Sequence, residues 1–168
     1  MKKNARYSIW NTALVKRKSK IRLDVGGGPN PQSGFVVMDR RKLPGVDIVH
    51  DVHKIPWPLP ASSCSVVLMS HLWEHLDPAL TIDIANEVWR VCEDGGQWQI
   101  VVPYGNSYGY LQDPTHRNPA VEATWQYFDP SFPLYRIYEP KPWKLVTCQY
   151  QQVGNMIAVM NAQKNGKA

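Results

Sequence analysis

Five short runs rich in apolar residues constrain this 168-residue chain more than any other feature. They fall at 21–25, 35–39, 46–51, 64–70 and 98–102, and β-branched residues recur in them. Short, continuous, β-branched runs of this kind are expected of strands buried on both faces of a parallel sheet. A helix is predicted between the fourth and fifth runs. Asp77 would cap it, Pro78 would take its first position, and Leu80, Ile84, Val88 and Val91 would share one face. Gly95-Gly96 is where a left-handed stop is expected. Strand, helix and strand then make a right-handed crossover. The tail reads as two more strands, 143–153 and 156–160, about the turn pair Gly154-Asn155. The expected fold class is α/β: a Rossmann-like, doubly wound, mostly parallel sheet that finishes with an antiparallel strand.

Composition limits what such a sheet belongs to. Apolar residues make up 43% and charged residues 20%, which excludes a disordered chain. The length suits one domain, 21–168, behind a basic arm, 1–20. The net charge of +5 comes from the start of the chain: residues 1–22 carry eight basic side chains and no acid. Such an arm is either a solvated tail or an attachment for a polyanion such as nucleic acid. No apolar run approaches the roughly 20 residues of a membrane span, and the N-terminus does not resemble a secretory signal. Cys64, Cys92 and Cys148 have no paired spacing and read as reduced thiols. The expected location is cytoplasmic, with no membrane partner. Oligomeric state is not legible. Residues 103–142 stand apart, with seven prolines and many aromatics. A segment like this either covers the sheet edge or forms a binding loop.

The ends of the first three runs carry the chemistry. The first runs into Gly26-Gly27-Gly28, and in open α/β sheets ligands bind at the carboxyl ends of strands. Pro31 stands where a dinucleotide fingerprint needs its third glycine, and no Gly-Lys-Ser/Thr follows, so the loop is not built for a pyrophosphate. Asp39 closes the second run, where a carboxylate can accept from two ribose hydroxyls. Asp51 closes the third and could accept from an adenine amino group.

Taken with Ser70-His71-Leu72-Trp73-Glu74-His75-Leu76 and Glu87-Val88-Trp89-Arg90-Val91, this order resembles class I S-adenosylmethionine-dependent methyltransferases. More narrowly it is similar to small, mostly uncharacterised members with a Ser-His-x-x-Glu-His-Leu segment. The resemblance covers about 21–105, and 113–130 also looks like that subfamily. It implies a seven-stranded sheet and S-adenosylmethionine as cofactor. By position it implies Asp24, Gly26, Gly27 and Gly28 at the methionine end, Asp39 at the ribose, Asp51 and Val52 at the adenine, and Ser70 and His71 beneath the sulfonium. One departure matters. Nine residues, 26–34, separate the first two runs and include Pro29 and Pro31, so the first crossover helix should be short or missing.

His71-Leu72-Trp73-Glu74-His75 also spells the inverted zinc-protease pattern, with His116 as an imaginable third ligand. That pattern needs a full helix, and here a buried strand precedes it and Asp77-Pro78 stops it, so no metal is expected. His75 or Glu74 could instead serve as a general base toward the acceptor. Tyr104, Tyr108 and His116 are candidates for contacting that acceptor. No Asp/Asn-Pro-Pro-Tyr or Pro-Cys signature of base methylation is present. The expected reaction is methyl transfer to a small molecule or glycan. The rivals are a cofactor-binding module without turnover and an RNA- or DNA-modifying enzyme guided by the basic arm.

Overall fold

A computed structural model describes residues 20–165. The basic arm, apart from Lys20 at its end, lies outside the described residues. Seven strands form one sheet in the order β3-β2-β1-β4-β5-β7-β6. They are β1 (Ile21–Val25), β2 (Val36–Asp39), β3 (Ile48–Val49), β4 (Cys64–Ser70), β5 (Cys92–Pro103), β6 (Trp143–Tyr150) and β7 (Asn155–Ala162). All neighbours pair parallel except β7, which runs antiparallel to both β5 and β6. The expected fold class is therefore the observed one. The third strand is shorter than the run 46–51, because Asp47 turns its carboxylate onto the Val37 amide (2.9 Å) and only Met38 and Asp39 find ladder partners.

No helix joins β1 to β2; turns carry the chain from Gly26 to Phe35, as the two prolines require. The helix after β4 is α1 (Thr81–Val91), entered through a 3-10 turn, Pro78–Leu80. The Asp77 carboxylate accepts from the Ala79 amide at 3.0 Å, as a cap should. The helix does not reach Gly95-Gly96. It stops at Val91 because Cys92 already pairs with Cys64 on β4, and pairing resumes at Val66 with Gln97. Residues 93–96 are a bulge, and Gly95 takes its positive φ of 73° there rather than at a helix end. Two one-turn helices follow, α2 (Tyr108–Leu111) and α3 (Glu122–Gln126).

A buried ion pair ties α1 to the loop beyond β3. Glu87, 3% exposed, accepts from the Trp57 amide and from Arg90, both at 2.6 Å, and Arg90 also donates to the Trp57 and Leu59 carbonyls. Trp57 in turn donates its indole N–H to the Val52 carbonyl at 3.0 Å. The wall beyond β3 is thus held by a helix on the sheet's face. The 103–142 segment contributes Trp125 and Phe128 to a buried cluster with Trp73, Trp98 and Trp143, with Trp73 and Trp125 4.9 Å apart. Part of that segment is therefore core. Among the described residues, no helix is long and apolar enough to cross a membrane.

Candidate functional site

The strand order reverses between β1 and β4, so their connections leave on opposite sides and open a crevice at the carboxyl ends. A cavity of about 700 Å³ lies there. Val25 and Gly26 end β1 in its lining, Met38 and Asp39 end β2, and Asp51, Val52 and His53 follow β3. His71, Leu72, His75 and Leu76, after β4, form the opposite wall. Pro114, Thr115 and Arg117 close it from the 103–142 segment, which therefore both packs into the core and borders the cavity. Of the residues singled out in sequence, Gly26, Asp39, Asp51, Val52, His71 and His75 meet around one space.

The others stand behind that wall. Asp24 is 2% exposed and accepts from the Gln32 amide at 3.1 Å, bracing the turn after β1. Burial raises its carboxyl above the ordinary range, against the pull of that amide, and neighbouring Asp39 raises it further. Gly27 presses on it: an added Cβ would come within 2.6 Å of the Asp24 carboxylate. Gly28 serves through its amide, which donates to Asp39 Oδ2 at 3.1 Å. Ser70, Glu74 and His116 are outside the lining, as are Tyr104 and exposed Tyr108. Tyr104 is committed elsewhere, donating to Glu122 at 2.8 Å and meeting Tyr150 edge-on.

Asp39 ends β2 with its carboxylate already oriented. Oδ1 accepts from the Arg41 amide at 2.7 Å, and the Arg41 guanidinium adds longer contacts at 3.2 and 3.4 Å. Burial opposes its ionisation, but the guanidinium and the two amides outweigh burial and hold the carboxyl below its usual range. Asp51 is similar: burial opposes ionisation, and the His53 amide and ring outweigh it. His53 bridges two parts of the wall. Its Nε2 accepts from the Asp77 amide at 3.2 Å, so its Nδ1 carries the proton given to Asp51 at 3.1 Å.

On the far wall, His71 takes a positive φ of 52° directly after β4. Its Nδ1 meets Glu74 Oε1 at 3.2 Å, and that carboxyl group raises the imidazole's proton affinity above the ordinary value, against partial burial. The segment Trp73–His75 is a 3-10 turn rather than a helix. Residues 113–118 dock on it: the Arg117 and Asn118 amides both donate to the Glu74 carbonyl, at 2.9 and 3.1 Å.

Arg41, His53, Thr115 and Arg117 were not singled out in sequence. The clue for the last two was Asp113-Pro114-Thr115-His116-Arg117, a run of polar, chemically able residues inside an aromatic segment. Nothing local marks Arg41 or His53.

Similarity to solved structures is broad and distant. A S-adenosylmethionine-dependent methyltransferase from Archaeoglobus fulgidus superposes with a TM-score of 0.60 at 13% identity, covering 93% of this chain and 92% of that one. The antibiotic-resistance methyltransferase Kmr gives 0.60 at 16% identity, covering 92% of each. The 1,6-didemethyltoxoflavin-N1-methyltransferase from Burkholderia thailandensis, solved with 1,6-didemethyltoxoflavin and S-adenosylhomocysteine, gives 0.62 at 13% identity, covering 95% of this chain and 78% of that one. No protein-family model matches the chain, and no curated protein matches it in sequence. At these identities the shared property is the fold.

Proposed function

We propose that the chain binds S-adenosylmethionine in the crevice at β1–β3 and transfers its methyl group to a small-molecule or glycan acceptor. The observation that carries this reading is one cavity lined in order by Gly26, Asp39 and Asp51, each at or within two residues of the carboxyl end of a successive strand. The residues present fit the cofactor. Gly26 has φ of 78°, and an added Cβ there would come within 3.0 Å of Leu72, so the backbone lies open to a ligand only as glycine. Asp39 offers a carboxylate to vicinal ribose hydroxyls. The Arg41 side chain beside it is 56% exposed and free to yield its long contacts. Asp51 and Val52 line the adenine end. All three neighbours described above are named as methyltransferases, one of them with the cofactor product bound.

When bound, the cofactor supplies a methyl group made electrophilic by its sulfonium. The chain's part is to place an acceptor against it and exclude water. Leu72, Leu76 and Pro114 supply the apolar wall, and Arg117 fixes it by donating to the His75 carbonyl at 3.2 Å. His75 is the candidate to take an acceptor proton. Its Nδ1 meets the Thr115 hydroxyl at 3.1 Å, and that hydroxyl donates to Asp113 at 2.7 Å, so Nδ1 must be the protonated nitrogen and Nε2 the free lone pair. Glu74, buried behind it, holds His71 instead of facing the cavity.

The test is calorimetry on the full chain with S-adenosylmethionine and S-adenosylhomocysteine. Micromolar binding is expected. Asp39→Ala should weaken it by about one to two orders of magnitude, because charge-assisted hydrogen bonds are worth roughly 1.5–3 kcal/mol. Asp47→Ala should leave it nearly unchanged. Absence of binding at millimolar ligand, or an Asp39→Ala variant that binds like the parent, rejects the reading.

A further inference from the structure

The three strongest ligand groups outside the cofactor edge converge behind the far wall. A carboxyl oxygen of Glu74 and a ring nitrogen each of His75 and His116 all lie within 4.8 Å of one another. Glu74 is 1% exposed, and its Oε2 has no hydrogen-bond partner. A buried carboxyl oxygen left bare costs stability unless something binds it.

The hydrogen bonds around the two imidazoles point the same way. His116 Nδ1 lies 2.8 Å from the Tyr110 carbonyl, which can only accept, so Nδ1 is protonated and Nε2 carries the lone pair. His75 is held in the same tautomer by the Thr115–Asp113 relay. Each ring therefore donates one N–H to an oxygen and leaves its other nitrogen without a hydrogen bond, the His116 Nε2 standing 3.7 Å from an Asp113 carboxylate oxygen. That is how metal-ligating histidines are oriented. The rings stand 4.7 Å apart, centroid to centroid. Their backbones are locked together by the two amides on the Glu74 carbonyl and by Asn118, which donates to the Trp73 carbonyl at 3.2 Å.

We infer that Glu74, His75 and His116 form a site for a divalent first-row transition-metal ion. Two imidazole nitrogens and one carboxylate oxygen suit zinc, iron(II), cobalt or manganese better than magnesium, which prefers oxygen alone. The donor atoms must draw in modestly, since bonds of about 2.0–2.2 Å place tetrahedral ligands closer together. The sequence alone argued against a metal because the turn is not a full helix. The turn suffices, because the third ligand arrives from the segment docked on it. Three protein ligands leave at least one coordination position open. His75 is the one ligand of the three that borders the cavity, so an acceptor would reach the ion past its ring. Resting on the methyl-transfer reading, the acceptor would be a hydroxyl-bearing molecule that binds the ion through oxygen. The His75 lone pair would then serve the ion, and the ion, rather than the imidazole, would lower the hydroxyl's proton affinity.

The experiment uses the untagged full chain after chelation and dialysis. Zn²⁺, Mn²⁺ and Co²⁺ are titrated singly by calorimetry, with the visible spectrum of Co²⁺ as a second readout. One ion per chain is expected for at least one metal. His116→Ala and Glu74→Gln should weaken binding at least about a hundredfold, and Thr115→Val, which removes only an outer partner, about tenfold. His50→Ala should not change it. Each variant is checked by circular dichroism, and Thr115→Val decides the matter if the ligand variants unfold. No binding of any of the three ions at millimolar concentration, or binding indifferent to His116→Ala and Thr115→Val, overturns the site. S-adenosylhomocysteine binding is measured on the same samples. Metal without nucleoside rejects the methyl-transfer reading and leaves the ion site standing; nucleoside without metal rejects the ion site alone.

Discussion

Two glutamates thirteen positions apart are buried almost equally, and they are used in opposite ways. Glu87 is 3% exposed, and both its oxygens are engaged, by Arg90 and by the Trp57 amide. Glu74 is 1% exposed, and one oxygen meets His71 while the other meets nothing. The first is a fully partnered buried charge that fixes the wall beyond β3 to α1. The second stands at the far wall, where three side chains able to bind a metal converge. Burial alone does not say how completely an acid is partnered; the state of its lone pairs does.

The comparison is broken most sharply by neutralising Glu87. Glu87→Gln leaves the Arg90 guanidinium without its counter-charge, and should destabilise the protein by about 3 kcal/mol in denaturant unfolding. That is the lower end of the range for a broken buried pair, because Arg90 keeps 31% of its side-chain exposure. A loss under about 1 kcal/mol would mean that the pair does not hold the wall.

A second satisfied acid sharpens the contrast. Asp129, 1% exposed, accepts from the Ser131 amide and hydroxyl and from the Leu145 amide, at 2.8–2.9 Å. Burial opposes its ionisation, but these donors, with Lys144 nearby, outweigh burial and hold its carboxyl below the ordinary range. An acid depressed in the folded state stabilises it above the unfolded value of about 3.9, and that stability is lost as pH falls through the lower folded value. Asp129→Ala should cost about 2 kcal/mol at neutral pH. The gap to the parent should narrow as acid unfolding is followed below pH 4, and a gap independent of pH would show that the carboxylate's charge contributes nothing.

The smallest effect is expected at Glu74. Without metal, Glu74→Gln should change the unfolding free energy by less than about 1 kcal/mol, since it removes a poorly partnered buried carboxyl and keeps its shape. Thermal melts of the chelated protein check this. A loss as large as that of Glu87→Gln would make Glu74 a structural acid like its neighbour.

Local pattern revealed the framework. The apolar runs found five strands, because strands buried in the middle of a sheet are rich in apolar residues, and the turn pair Gly154-Asn155 found the last two. Asp77-Pro78 marked the entry to the helical segment, and the proline-containing gap after β1 had no room for a helix. Asp39 was legible because an acid ending a buried strand emerges at the carboxyl edge of the sheet, and Asp51, two residues past the end of β3, reaches the same edge. The end of α1 was misread, since Gly95-Gly96 looks like a helix stop whether or not Cys92 has already joined β5.

What the sequence by itself determined is the sheet, its antiparallel finish, and the glycine turn and acids at the carboxyl ends of β1–β3. These rest on contacts within a strand or on the turn that leaves it. Only the tertiary structure decided that His53 joins Asp51 to Asp77 and that His116 meets Glu74 and His75 across some 40 positions of chain. Side-chain pairs at that separation have no periodicity to betray them. They are fixed by where Trp125 and Phe128 anchor the aromatic segment in the core, and that packing brings residues 113–118 down onto the turn after β4.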